Sequence, residues 1–258
     1  MRVKTACTAM MIVVVYLTAS LFFPMVVQAS PAQAEPIPIS ADKAYDMWAE
    51  DPSTVAIVDV RTPEEYYWNG TCAQVDEILL EGGIPIHPEN GKVTLHWGGR
   101  FLKYEIEGHP MFLPVRRVEE IETTAIAINI PYETVDCTDP DCTKTAVGEG
   151  AFKDNLRTQL EGIETVILMC RSGKRSSACG EWTVDVFGED NVFEIDHPAK
   201  NGRGGFQGTS YGSVHNGYRG FPGRATSFQD YTSVSWSDAG LPIHIGECPT
   251  DGPWYELQ

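Results

Sequence analysis

The sequence predicts an α/β fold with a mostly parallel central sheet and helices on both faces. Three observations carry that expectation. Short apolar, β-branched runs recur at 55–60, 125–130, 165–169 and 192–195. Between them lie amphipathic helical patterns at about 41–50, 149–160 and 176–187. The runs are almost continuously apolar instead of alternating, which marks strands buried on both sides. Strands alternating with helices in this way imply crossover connections and a parallel sheet.

The first stretch is not domain material. Arg2 and Lys4 precede an apolar run from about Met10 to Val27, interrupted by Thr18, Ser20 and Pro24. Ala32-Gln33-Ala34 then offers a small-x-small cleavage site. That order reads as a secretory signal peptide over 1–34, followed by a single domain over 35–258. An uncleaved membrane anchor is the alternative, since the run approaches spanning length. No second stretch does, so no stable span is expected once the signal is cleaved. The expected location is periplasmic or secreted.

From there the elements follow in order. Glu35 to Ile39 reads as a Pro-rich linker. Ser40 caps a helix that carries Ala44, Met47 and Trp48 on one face and stops at Asp51-Pro52. After the strand at 55–60, Thr62-Pro63-Glu64-Glu65 opens a short helix, with Pro at the first position and acids in the first turn. Residues 69–125 look less regular, although Gly98-Gly99 between two runs predicts a two-residue hairpin. Phe152, Leu156 and Leu160 recur every four residues and give the helix over 149–160 its apolar face. Residues 198–232 have no period and read as a long loop.

Charge and cysteines narrow the classes of function. The formal net charge is −17, and removing residues 1–34 takes it to −19. Such an acidic body excludes nucleic acid and anionic membrane as expected partners. Export places the chain where disulfides form. Six cysteines follow the leader: Cys72, Cys137, Cys142, Cys170, Cys179 and Cys248. Cys137 with Cys142 is the first expected disulfide and Cys72 with Cys248 the second. Cofactors and metals are not expected, because four zinc ligands at proper spacing are missing. The acids around 136–149 lack the glycine of a calcium loop.

The chemistry concentrates in Cys170-Arg171-Ser172-Gly173-Lys174-Arg175-Ser176. Cys170 stands at the end of a strand, where sites form in parallel sheets. The thiolate is the nucleophilic form of a cysteine. A strand-to-helix turn aims backbone N–H groups inward, and the helix expected from Ser176 adds its positive end. Arg171, Lys174 and Arg175 add positive charge, and Gly173 reaches a backbone conformation closed to most residues. All of these favour an anionic sulfur. A buried structural cysteine is the plainer alternative.

This segment resembles the active-site loop of the rhodanese family, Cys-Arg-x-Gly-x-Arg-Ser after a strand. Ile57-Val58-Asp59-Val60-Arg61-Thr62-Pro63-Glu64-Glu65-Tyr66 is similar to the family's first block, and Ala127-Ile128-Asn129-Ile130-Pro131 to its second. Gly204-Gly205-Phe206, and Trp236 with Ala239-Gly240-Leu241-Pro242, look like its closing block. The likeness runs from about 38 to 245 but is broken by two insertions, at about 69–125 and 198–232. It implies a rhodanese-like fold carrying an inserted hairpin and a long loop, as in an exported bacterial type.

The resemblance implies sulfur transfer. Cys170 would be the nucleophile that takes a sulfane sulfur from a small anionic donor such as thiosulfate. Backbone N–H groups from Arg171, Ser172, Gly173, Lys174, Arg175 and Ser176 would cradle the persulfide, and the three cations would hold the donor. The acceptor would be a thiol or cyanide, with a protein thiol as a further candidate. Four residues separate Cys170 from Arg175, where related phosphatases have five. That ranks phosphatase or arsenate reductase chemistry below sulfur transfer. A persulfide-carrying binding module without turnover is the main alternative.

Other residues have plainer readings. Asp59 and Arg61 are expected to pair at a strand end, and Glu65 to cap or pair. Cys179 is expected to pack on the sheet, with Gly180 permitting close approach; a resolving thiol is its sharper alternative. Arg203, Arg219 and Arg224 read as solvated loop charges, with an anion route to Cys170 as the alternative.

Overall fold

In β2 (Val55–Asp59) and β12 (Thr165–Met169), successive side chains point to opposite faces of one sheet. Val55, Ile57, Ile167 and Met169 enter a core with Ala41, Ala44 and Tyr45 of helix α1 (Ala41–Glu50). Ala56, Val58, Val166 and Leu168 enter a second core on the opposite face. That core is closed by Phe152 and Leu156 of α3 (Glu149–Gln159) and by Cys179 and Val184 of α4 (Lys174–Phe187). Both faces are therefore covered by helices, which is why these strands carry almost no polar residues. The architecture comes from a computed structural model that describes residues 34–68, 70–96, 100–136, 143–171, 173–195, 236 and 239–244.

Among the described residues the central sheet has five strands, all parallel, in the order β1-β13-β12-β2-β9. Its remaining members are β1 (Ile37–Ile39), β9 (Ala127–Asn129) and β13 (Val192–Ile195). The fold class is thus α/β with a parallel central sheet. The segment expected as a Pro-rich linker is instead the edge strand β1, paired with β13 from Ile37↔Phe193 to Ile39↔Ile195. Pro38 has no N–H to give, and an edge strand tolerates that. Local chemistry sets the helix ends: the Ser40 side chain accepts the Lys43 N–H at 3.3 Å, and Thr62 sits three residues before Glu65 at the start of α2 (Pro63–Trp68).

Residues 69–125 are the larger departure from expectation. They hold an antiparallel β lobe. β3 (Thr71–Leu80) pairs with β4 (Ile84–Ile86) and with β8 (Val118–Ala125). Strands β5 (Thr94–His96), β6 (Phe101–Ile106) and β7 (His109–Pro114) form a separate meander. The lobe has its own core, including Val75, Ile78, Val93, Leu102, Leu113 and Ile121. A register shift between Val75 and Glu77 breaks the alternation that would have marked β3 in the sequence. The hairpin expected around Gly98-Gly99 exists, but its last pair is His96↔Phe101, so the connection is four residues long. The expected strand over 125–130 is two strands: Ala125 ends β8, Ala127 begins β9, and Ile126 donates its N–H to the Cys72 carbonyl at 2.9 Å.

The closing block returns to the domain. Trp236 is fully buried, stacks at 5.7 Å on Tyr45 and donates its indole N–H to the Pro242 carbonyl at 2.6 Å. Strand β14 (Ile243–His244) then pairs with Thr71 and Cys72 of β3. The expected signal peptide, apart from Ala34, and the long loop over 198–232 lie outside the described residues. Among those described, no helix is long and apolar enough to cross a membrane.

Candidate functional site

Cys170 follows the last residue of β12, and four residues later, at Lys174, the chain is already helical. Gly173 makes the turn at φ 86°, ψ −21°, a left-handed conformation that glycine adopts without penalty. Helix α4 therefore begins at Lys174, two residues before the start expected from sequence. Lys174, Arg175 and Ser176 fill its first turn. The turn brings the Gly173 N–H to 3.1 Å from Cys170 Sγ. The Ser176 hydroxyl lies 3.6 Å from the same sulfur and 2.9 Å from the Gly173 carbonyl, so its single proton serves one or the other. The sulfur thus sits against the N-terminal end of a 14-residue helix.

Cys170 is a free thiol and only 1 % exposed, with core residues around it. Burying a sulfur that is to carry negative charge is costly unless donors replace water. Here the Gly173 amide does so, joined by the Ser176 hydroxyl whenever its proton turns from the Gly173 carbonyl to the sulfur. Gly173 and Ser176 are themselves buried, whereas Lys174 is exposed and Arg171 half-buried. Ser172 lies outside the described residues. The expected set is therefore sorted by position: Gly173 and Ser176 meet the sulfur, and Lys174 faces outward.

Arg175 is occupied by carboxylates. It makes two hydrogen bonds to Glu65, one of them from Nη2 to Oε1 at 3.0 Å, and its Nη1 lies 3.6 Å from Glu133 Oε2. Burial works to raise the Glu65 pKa, but the Arg175 hydrogen bonds and charge, with Lys144 and Arg61 behind them, hold it down at about 2. Burial likewise works against the Arg175 charge. The Glu65 bonds and charge, with lesser help from Cys170 and Glu133, raise its pKa all the same. Arg175 thus ties the first turn of α4 to α2, the ion pairing that is the plainer reading of this residue. Glu133 and Lys144 come from a hairpin that sequence reasoning passed over, β10 (Glu133–Asp136) and β11 (Thr143–Ala146). No local pattern marks them, because the partners are brought together only by the fold.

Asp59 and Arg61 form a fully buried pair at the end of β2. Nη2 lies 2.5 Å from Oδ2, and Nε lies 2.9 Å from Oδ1. Thr71 Oγ1 donates to Asp59 Oδ2 at 3.0 Å, and Arg61 Nη2 donates to the Gly70 carbonyl at 2.6 Å. The Asn129 amide bridges the carbonyls of both residues. The pair fastens β2 to the start of the β lobe. Burial disfavours the Arg61 charge, yet Asp59 raises its pKa overall.

The other described cysteines are a different matter. Cys72 is a free, fully buried thiol in the core that also holds Trp236, and Cys248, its expected disulfide partner, lies outside the described residues. Burial first, then Asp59, pushes its pKa well up. Cys179 is also free and buried; its thiol donates to the Ser176 carbonyl at 3.5 Å, and burial raises its pKa strongly. That suits packing and not a resolving role. Gly180 makes room for Pro36 and not for the sheet: a Cβ there would lie 2.4 Å from Pro36 Cγ.

Cys137, Cys142, Cys248, Asp139, Asp141, Arg203, Arg219, Arg224 and the Gly204-Gly205-Phe206 block lie outside the described residues. Among those described, no three His, Cys, Asp or Glu side chains gather to hold a metal. A cavity of about 480 Å³ opens between α1 and the β lobe, lined by Tyr45, Glu50, Lys92, Lys103 and Tyr104 among others. It shares no lining residue with the Cys170 loop.

No family model matches the sequence, and no curated protein matches it. The crystal structure of Rv0390 from M. tuberculosis is similar to this chain at 19 % sequence identity and a TM-score of 0.36. The match covers 82 % of this chain and 99 % of that one. The likeness is too loose to carry an argument.

Proposed function

We propose that the chain is a rhodanese-type sulfurtransferase of the extracytoplasmic space, with Cys170 as nucleophile. The Cys170 thiolate attacks the outer sulfur of thiosulfate or a similar donor. A Sγ–S bond forms, the S–S bond of the donor breaks, and sulfite leaves with its electron pair. A thiolate or cyanide then attacks the outer sulfur of the persulfide, and Cys170 departs as thiolate. This is covalent catalysis divided between two displacements. The observation that carries the reading is the Gly173 N–H at 3.1 Å from Sγ, at the N-terminal end of α4. Donors held in place before the reaction stabilise anionic sulfur at both steps.

The near-complete burial of Cys170 favours a second reading, in which the persulfide is carried or sensed for a protein partner without small-molecule turnover. Incubation with thiosulfate followed by intact mass should show one added sulfur on the wild type and none on Cys170→Ser. Turnover to cyanide supports the enzyme. A persulfide that cyanide does not discharge supports the carrier. Turnover surviving in Cys170→Ser rejects both.

A further inference from the structure

Of the three loop cations expected to hold an anionic donor, Arg175 is engaged with carboxylates. Arg175 gives two hydrogen bonds to Glu65 and faces Glu133, leaving little of its charge for a ligand. A donor bearing a sulfonate-like group gains from any positive charge near the mouth of the loop beyond those of Arg171 and Lys174. The β10–β11 hairpin supplies one. Lys144 Nζ lies 3.7 Å from Glu65 Oε2, and half of its side chain is exposed. That separation is too long for a direct hydrogen bond, and both Glu65 oxygens are already taken by Arg175. The ammonium is therefore held beside the loop in a half-exposed ion pair without a direct hydrogen bond. Within the hairpin's described residues every β11 side chain is exposed, so Lys144 also faces incoming solute.

We propose that Lys144 recruits the anionic sulfur donor to Cys170 and is a specificity-determining residue for small oxyanion-bearing sulfane compounds over neutral ones. This rests on the sulfurtransferase reading, although recruitment of anions to Cys170 can be measured without it. Glu65 and Arg175 stand between Lys144 and the loop, so the ammonium acts by its field and not by contact with the sulfur. Such a field is screened by salt, so its effect should weaken as ionic strength rises. Contributions of this kind between partly exposed groups correspond to about two- to five-fold in a rate or a binding constant.

The test compares alkylation of Cys170 by iodoacetate, an anion, with alkylation by iodoacetamide, which is neutral and of similar shape. Peptide mass reports each rate on Cys170 itself. Lys144→Gln should slow iodoacetate about three-fold and leave iodoacetamide unchanged, while Lys144→Arg should restore the ratio. Lys43→Gln, the same charge change on an exposed face of α1, should leave the ratio alone. With thiosulfate, Lys144→Gln should raise KM about three-fold at constant kcat. An unaltered alkylation ratio in Lys144→Gln overturns the proposal, as does an equal fall for both reagents, which marks a merely structural residue. A lowered ratio in a protein that forms no persulfide in any variant upholds the role of Lys144 and rejects sulfur transfer.

Discussion

Cys170 and Cys72 are both free and both buried, at 1 % and 0 % exposure, and they stand in opposite surroundings. Cys72 lies on β3, where the β lobe meets the α1 face of the sheet, packed with Trp236 and Tyr45. Its neighbours offer apolar surface and the Asp59 charge, and both favour the neutral thiol. Cys170 lies at the end of a strand against the beginning of a helix, with an amide and a hydroxyl directed at its sulfur. Burial alone therefore says little about what a thiol can do. Donors at the sulfur set Cys170 apart from Cys72 and underlie the proposed role of Cys170, and a strand-to-helix turn supplies donors where a strand interior cannot.

The sharpest way to break this contrast is by substitution of the two sulfurs. Cys170→Ser should reduce persulfide formation and alkylation at that site to background. Cys72→Ser should leave both intact and cost roughly 1–3 kcal/mol of stability in urea unfolding, because a hydroxyl is poorly served in that core. Persulfide on Cys72 would end the comparison. Trp236→Ala removes the largest buried side chain beside Cys72 and should cost about 3–5 kcal/mol, more than Cys72→Ser, read as a lowered urea midpoint.

The ion pair that braces the Cys170 side gives a pH signature. The folded Glu65 pKa of about 2 lies below the ordinary glutamate value of about 4.3. Its contribution is therefore complete above the unfolded value and lost as pH falls from about 4.5 toward 2. Unfolding free energies at pH 6 and pH 3 should show that Glu65→Gln lacks roughly 2 kcal/mol of the wild-type pH dependence. An identical pH dependence would remove the brace from the account. The smallest effects come from two glycines. Gly173→Ala should cost about 1–2 kcal/mol and slow alkylation of Cys170, since an L side chain resists φ 86° and moves the amide. Gly150→Ala, in the first turn of α3 with open space where its Cβ would go, should stabilise by about 0.5 kcal/mol and leave Cys170 untouched.

The parallel sheet was legible because its strands are buried on both faces and so read as unbroken apolar runs. Thr165 to Met169 was placed to the residue. The β lobe was not legible for the converse reason. Its strands show one face to water and carry Gln74, Asp76, Glu119 and Glu120 among their apolar residues. The shift at Val75 and Glu77 then erases what alternation remains. Edge strand β1 is not legible because its pairing partner is more than 150 residues away, and Pro38 with Pro36 just before it suggests a linker. Gly173 is legible from its residue type alone, but the start of α4, two residues before Ser176, is not, because a glycine N-cap leaves no side-chain signal.

The sequence by itself determined the alternation of elements, the position of Cys170 at a strand end and the glycine that turns the chain back toward it. These are local matters, settled by periodicity and by the conformations open to single residues. The tertiary structure decided which charges meet. Arg175 finds Glu65 across 110 residues, Lys144 comes to the edge of that pair, and Cys72 is sealed under Trp236. Electrostatic partnership depends on distance in space, and no spacing along a chain encodes it.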